Sequence, residues 1–415
     1  MSRTYSDFLD DFAAMSSFGS TDGGGVDRQA GTAEDHGTRR WFGQWLTRRG
    51  YTETVDDAGN QFGTIELVPG APYVLLGSHL DSQPLAGRYD GAYGVLAAAT
   101  AGSIVAAEAR AGKVDPHYNL AVVNWFNEEG SRFAPSMMGS SVFTGKLALE
   151  DALATTDHSG TTVAKALTGG HLLPDGTAPT LANVARYAEI HIEQGRNLEE
   201  SGTQVGVVER TWAASKFRVT IDGAQSHTGA TRMEDRRDAL YGAALLIAAA
   251  RELAAEFDPG LLHTSVSELY VLPNSPVTIA RQVTMNLDLR SPDEDVLARA
   301  VDLLGKWAGE ASDRSRTDIR MELTHQWGLV AYQPEGVALG IASAERLGFT
   351  HTNIMTVAGH DSTNMKDVVP TVMLFVPSVE GISHNEAEYT TDEDALRGVE
   401  LLAEVTRRLL QGGMG

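Results

Sequence analysis

Apolar and polar positions repeat with two different periods along this chain, and the change from one to the other divides it. In EDHGTRRWFGQWLTRRG the apolar Trp41, Phe42 and Trp45 recur at helical spacing and Gly50 supplies a stop, so a helix is expected before residue 50. QFGTIELV and PYVLLGS read as strands on either side of the turn-forming Pro69 and Gly70. VLAAATAGSIVAAEA then reads as a long apolar helix, and NLAVVNWFNEE as an apolar strand entering an acidic turn. Strands alternating with helices in this way build an α/β layer, a central mixed sheet with flanking helices.

Near Lys216 the period shortens. KFRVTID sets Phe217, Val219 and Ile221 on one face and Arg218, Thr220 and Asp222 on the other, the pattern of a half-buried antiparallel strand. A helix is expected from about Asp235 to Phe257, then strands in TSVSELYVL and QVTMNLDLR, a helix around PDEDVLARAVDLLGKWAGEA and a strand in IRMELTH. The order β-α-β-β-α-β is that of a ferredoxin-like α+β unit. It takes residues 212–327 as an insertion, after which GVALGIASAERLG and TVMLFVPS resume the first pattern. The first domain is therefore expected to be discontinuous, 1–211 with 328–415.

Length and charge narrow the possibilities. A chain of 415 residues exceeds what single cores usually reach, which agrees with two domains. The net charge of −22 argues against nucleic acid or an anionic membrane as partner, so an anionic substrate needs a local positive centre. The absence of cysteine excludes disulfides, thiolate ligands and cysteine nucleophiles. MSRTYSDFLDDFAAMSSFGS has acidic residues where a signal peptide has a basic start, and a soluble cytoplasmic protein is expected.

Candidate chemistry gathers in a few segments. In GSHLDSQPLAGRYDG, His79 and Asp81 stand two apart at a strand end and face one side, so the histidine can bind a metal while the aspartate accepts from its ring N–H and orients it. Asp90 either caps the following helix or bridges two cations about 3.5–4 Å apart, which a two-oxygen carboxylate can do and an imidazole cannot. The adjacent Glu128 and Glu129 make either an exposed acidic turn or a pair in which one ligates a metal and its neighbour acts as general base. His191 in HIEQG and His384 in SHNEAE are candidate terminal ligands.

A second group lies in the inserted unit. His227 sits in a loop suited to a mobile donor, Asn274 in a proline-framed loop, and Arg290 at the end of a strand, either solvated or poised to hold a substrate carboxylate with its planar fork. AGHDSTNM offers a glycine-led turn for the same carboxylate, with His360 and Asp361 beside it.

Six ordered segments, GSHLDSQPLAGRYDGAYGVLAA, NEEGSRFAPSMMGS, HIEQG, SHTGATRMEDRRDA, AGHDS and VPSVEGISHNEAE, together resemble the hydantoinase/carbamoylase family of amidases. That family includes N-carbamoyl-L-amino acid hydrolase, β-ureidopropionase and allantoate amidohydrolase, within the dinuclear aminoacylase and carboxypeptidase G-type metallohydrolases. The resemblance implies that His79, Asp90 and His191 hold one metal and Asp90, Glu129 and His384 a second, drawn from zinc, manganese, cobalt or nickel. It implies that Glu128 is general base and acid, and that Gln194, His227, Asn274, Arg290 and Gly359 meet the substrate, His227 polarising the scissile carbonyl; His360, next to Gly359, is a further candidate for the substrate. The insertion then becomes a lid and the contact surface of a homodimer.

The activity implied is hydrolysis of the linear ureido C–N bond of an N-carbamoyl amino acid to the amino acid, ammonia and carbon dioxide. Allantoate amidohydrolase and β-ureidopropionase activities are alternatives. A dinuclear aminopeptidase or N-acyl amino acid deacylase is a more distant one. The family wording is departed from at Thr231-Arg232-Met233, where proline often precedes the methionine, and in VLPNSPVTIARQ; both departures fall in the inserted unit.

Overall fold

Two helices open the chain in this computed structural model, which describes residues 3–170 and 178–414. α1 (Arg3–Met15) occupies a stretch that the pattern leaves unassigned, and it buries Phe8, Phe12 and Met15 at helical spacing. α2 (Ala33–Arg48) begins where the Thr32 hydroxyl accepts the Asp35 amide. There follow β1 (Thr52–Val55), β2 (Gln61–Ile65), β3 (Tyr73–His79), α3 (Ala92–Arg110) and β4 (Asn119–Trp125). The short helices α4 (Met138–Phe143), α5 (Leu149–Ala154) and α6 (Val163–Gly169) lead to β5 (Val184–Ile192), α7 (Asn197–Ser201) and β6 (Val205–Thr211).

β7 (Ala213–Asp222), β8 (Ser226–His227), α8 (Ala239–Glu252), β9 (His263–Leu272), β10 (Thr278–Ile279), β11 (Gln282–Ser291), α9 (Glu294–Ser315) and β12 (Asp318–Trp327) come next. The chain ends with α10 (Pro334–Leu347), β13 (His351–Thr356), α11 (Asp361–Met365), β14 (Thr371–Val376) and α12 (Asp392–Leu410). It forms two compact units, one from the chain up to Glu209 and from Tyr332 onward, the other Arg210–Ala331. The second has wider bounds than the alternation suggests, because Arg210 bridges Ala331 and the Thr211 amide donates to the Val330 carbonyl.

In the first unit a mixed sheet runs in the order β1-β2-β4-β3-β5-β14-β6-β13. β4, β3, β5 and β14 are parallel neighbours, while β1, β2 and β6 pair antiparallel. Parallel strands covered on both faces read as continuous apolar runs. Val74, Leu76, Leu120, Val122, Ala188 and Ile190 join α1, α2, α3, α10 and α12 on one face. Leu75, Ala121, Val123, Trp125 and Tyr187 meet Met365 and Val369 on the other. Each fully buried aliphatic side chain contributes ~1.5–3 kcal/mol, so this double cover fixes the register of the strands beneath the site. α3 is long and apolar enough to cross a bilayer, but it is mostly buried in this core, where it serves as a packing helix.

The parallel register brings the carboxyl ends of four strands to one edge, the place where open α/β sheets bind ligands. His79 ends β3 opposite Trp125, the last residue of β4; His191 near the end of β5 lies opposite Phe375 in β14.

The second unit is a four-stranded antiparallel sheet in the order β12-β7-β11-β9, packed on α8 and α9. Phe217, Val219 and Ile221 of β7 and Val283, Met285, Leu287 and Leu289 of β11 face its core, as the alternation predicts. α8 starts at Ala239 and not near Asp235, because the Asp238 carboxylate accepts the amides of Leu240 and Tyr241 and caps the helix there. Met233–Asp235 is a separate 3-10 turn.

Candidate active site and metal centre

At the end of β3 the His79 ring lies against Gly91, the residue from which α3 starts. Gly91 has φ +54°, and a Cβ there would fall 2.3 Å from the imidazole, so glycine is what lets strand end and helix start approach. His79 Nδ1 lies 3.0 Å from the Asp81 main-chain oxygen and His191 Nδ1 2.9 Å from the Ile192 oxygen. Donation to these carbonyls puts a proton on Nδ1 of both rings, so Nε2 is the atom that each would offer to a cation.

Both Nε2 atoms face one carboxylate oxygen. Asp90 Oδ1 is 3.6 Å from His79 Nε2 and 3.4 Å from His191 Nε2. Asp90 Oδ2 is 3.2 Å from His384 Nε2, which lies 3.5 Å from Glu129 Oε2. Two triads, His79–Asp90–His191 and Asp90–Glu129–His384, therefore share Asp90. The aspartate does not cap α3 with its side chain; Gly91 occupies that position.

The donor set fits a pair of divalent cations. Ligand atoms about 2.0–2.2 Å from one tetrahedral ion stand ~3.4 Å apart, as these do. Glu129 Oε1 is buried without a hydrogen-bond partner among the described residues. Asp81, Asp90 and Glu128 are buried beside it, a concentration of carboxyl groups that requires positive charge. Nitrogen and oxygen donors of this kind serve zinc, manganese, cobalt and nickel alike.

The titration behaviour follows from that crowding. Burial, and then Asp90, pushes Glu129 up to about 8. Burial, followed by Asp361 and Glu129, holds Glu128 well above the carboxylate range, and burial with Asp35 raises Asp81 to about 7. Burial also lowers His79 to about 4. For Asp90 burial works the other way, but its contacts with His191 and His384 hold it well below the usual range. Against burial, the same contacts lift His191 and His384 to about 9.

Glu128 belongs to neither triad, yet its Oε2 lies 3.4 Å from His79 Nε2. The geometry corrects the expected role of Asp81. Its carboxylate stands 3.8 Å from the His79 ring nitrogen, which is satisfied by the main-chain oxygen, and instead accepts the amides of Glu128 and Glu129 at 3.1 and 3.2 Å. The Asp81 carbonyl, and not its side chain, thus meets the ring.

Three residues that follow the parallel strands, Asn127, Gln194 and His384, have φ values of +53°, +59° and +53°. Such non-glycine positions cluster where a strand end must redirect side chains into a site. Gln194 Nε2 donates to Asp90 Oδ2 at 2.8 Å and to Ser383 Oγ at 3.0 Å. The His360 ring is buried, 4.5 Å from the His191 ring and 5.5 Å from that of Phe375. Gly359 precedes it beside Met137, whose Sδ would be 3.3 Å from an added Cβ.

Two further side chains enter the site without having been singled out. Gln83 Nε2 donates to Glu129 Oε2 at 2.9 Å, and Glu388 accepts from Ser383 and from the Tyr89 amide. Each is a polar residue inside a motif quoted for its neighbours, which is the signal that would have found it.

The candidates of the inserted unit belong to their own surroundings. His227 Nδ1 accepts the amides of Gly229 and Ala230 at 3.0 and 3.2 Å, so the proton resides on Nε2 and can be donated. Asn274 has φ +51° in the loop after β9. Arg290 in β11 donates to Asp288 Oδ2 from Nη2 at 2.7 Å and from Nε at 3.1 Å.

Comparison with known proteins places this architecture. Residues 75–408 match the model of peptidase family M20/M25/M40. A Mycolicibacterium smegmatis protein named only as a hydrolase is 53% identical over 413 residues, 98% of this chain and 94% of that one. The N-carbamoyl-L-amino-acid amidohydrolase of Rhizobium meliloti is 34% identical over 95% of this chain and 93% of its own. The crystal structure of a hydantoinase/carbamoylase family amidase from Burkholderia vietnamiensis superimposes with a TM-score of 0.90 at 34% identity, covering 97% of each chain. The chain belongs to peptidase family M20/M25/M40, in its hydantoinase/carbamoylase amidase branch, and is a hydrolase of non-peptide C–N bonds.

Proposed function

We propose that this protein hydrolyses the linear ureido C–N bond of an N-carbamoyl amino acid, releasing the amino acid, ammonia and carbon dioxide. The observation that carries the reading is the position of Glu128, a buried carboxyl 3.4 Å from the ligand nitrogen of His79 and a member of neither triad. His79, Asp90 and His191 would hold one divalent cation and Asp90, Glu129 and His384 a second. Such ions lower the pKa of an attacking water and draw charge from the carbamoyl oxygen.

Glu128 takes the proton of that water and returns it to the leaving nitrogen. Asp81 holds the Glu128 main chain still while this happens. His227, protonated on Nε2, donates to the developing oxyanion, and Arg290 takes the substrate carboxylate, supplying the positive centre that a chain of net charge −22 lacks. Gln194, Asn274, Gly359 and His360 complete the substrate contacts. The enzyme acts as a cytoplasmic homodimer joined through the inserted unit.

Ammonia release from metal-reconstituted protein tests this, across N-carbamoyl amino acids, 3-ureidopropionate and allantoate. Preferred turnover of N-carbamoyl amino acids is expected. Preference for allantoate or 3-ureidopropionate moves the substrate within the same chemistry, and cleavage of dipeptides or N-acyl amino acids without ammonia overturns the ureido reading.

A further inference from the structure

Glu388 ends the SHNEAE segment, is buried, and belongs to neither ligand triad. Its two oxygens reach two different parts of the site. Oε1 accepts the Tyr89 amide at 2.9 Å, immediately before Asp90, and Oε2 accepts the Ser383 hydroxyl at 2.9 Å, immediately before His384. Ser383 Oγ also lies 3.1 Å from Asp90 Oδ2 and receives Gln194 Nε2 at 3.0 Å. The space is made for this carboxyl: a Cβ on Gly87 would fall 2.1 Å from Glu388 Oε1.

His384 needs such support more than the other ligands do. Its side chain is 49% exposed, whereas those of His79 and His191 are 2% and 1% exposed, and it stands on a loop with a positive φ. Packing fixes the two buried rings; hydrogen bonds must fix this one. On the other side of His384 the neighbouring Glu386 accepts the Thr21 hydroxyl and packs on Gly23 and Gly25.

We infer that Glu388 is a positioning residue for the second cation: it fastens the loop bearing His384 to the turn bearing Asp90 and sets their separation. This rests on the two-cation reading given above. Partners that orient metal ligands typically change affinity by ~10–100-fold. The effect should therefore fall on the Asp90–Glu129–His384 site and leave His79 and His191, which have their own main-chain partners, in place.

The test is titration of metal-free wild type, Glu388→Ala, Glu388→Gln and Ser383→Ala with Co²⁺ alone, followed by calorimetry and by visible absorption. Wild type should take up two equivalents. In Glu388→Ala and Ser383→Ala one equivalent should keep its affinity and spectrum while the other weakens ~10–100-fold, with Glu388→Gln in between because its amide oxygen replaces one acceptor. Two undiminished equivalents in the variants, with loss confined to the thermal midpoint of the metal-free protein, would reduce Glu388 to a brace for the fold and overturn the inference. If Glu388→Ala does not fold, Glu388→Gln, which keeps the volume and changes only one acceptor, decides: an undiminished second equivalent in it overturns the inference. A wild type that binds no second equivalent overturns the two-cation reading, and is recognised without any variant.

Discussion

Asp81 accepts the main-chain amides of Glu128 and Glu129 on its two carboxylate oxygens, at 3.1 and 3.2 Å. A side chain at the end of one strand thus sets the turn after the next, and with it the base and one metal ligand together. Asp81→Asn keeps the volume but turns an N–H donor toward one of those amides, leaving a buried donor unsatisfied at a cost of ~1–3 kcal/mol. We expect kcat to fall by ~10²-fold with KM changed less than threefold, since a small displacement of a catalytic group carries a penalty of that order. Steady-state kinetics on metal-replete protein measure it; unchanged kcat would remove Asp81 from the positioning role.

Glu128→Gln keeps the shape and discards the proton acceptor. General acid–base catalysis contributes ~10²–10⁴-fold, and a loss in that range is expected with full metal content. Metal analysis and turnover on the same preparation check both halves. Near-normal activity would show that another group moves the proton.

Without metal, the protein should lose stability as pH rises. His191 and His384, lifted to about 9, contribute stability that is complete below their unfolded value near 6.5 and is lost through pH 9. Glu129 and Asp81, raised chiefly by burial to about 8 and 7, lose theirs from above their ordinary carboxylate values through those pH values. The depressed His79 and Asp90 act in the opposite sense and set the acid limit. The melting temperature of metal-free protein should therefore fall between pH 5 and about 9, while divalent metal, which replaces those protons, flattens or reverses the trend. A metal-free melting temperature that climbs over this range contradicts the electrostatics of the cluster.

Arg290→Lys preserves charge and loses the planar fork that donates twice to Asp288. If the guanidinium holds the substrate carboxylate, KM should rise ~10-fold or more and kcat should change only a few-fold. Unaltered KM would confine Arg290 to its pair with Asp288.

Much of the site can be read from the chain because His79, Glu128, Glu129 and His191 sit at or just past the ends of apolar strands. YVLLGSH, NLAVVNW and YAEIHI mark their own carboxyl ends by the switch from apolar to polar, and parallel pairing brings those ends to one edge. The alternation in β7 and β11 is equally legible, since one face is buried and the other is not. What spacing alone conceals is direction. The placement of His79 and Asp81 two apart suggested a side-chain contact, but the carbonyl of Asp81 meets the ring and the side chain turns to an amide 47 residues away. α1 carries a helical signal of its own, Phe8, Phe12 and Met15 standing four and three residues apart, but the acidic Asp7, Asp10 and Asp11 among them mask it in the local composition.

The shared Asp90 carries a consequence for how the centre fills. Its Oδ1 faces one triad and its Oδ2 the other, and the two oxygens lie in one rigid plane. Holding either oxygen against its own triad would fix that plane for the other triad as well. The two positions would therefore fill as linked sites, and a change that turns the Asp90 carboxylate would be felt at both.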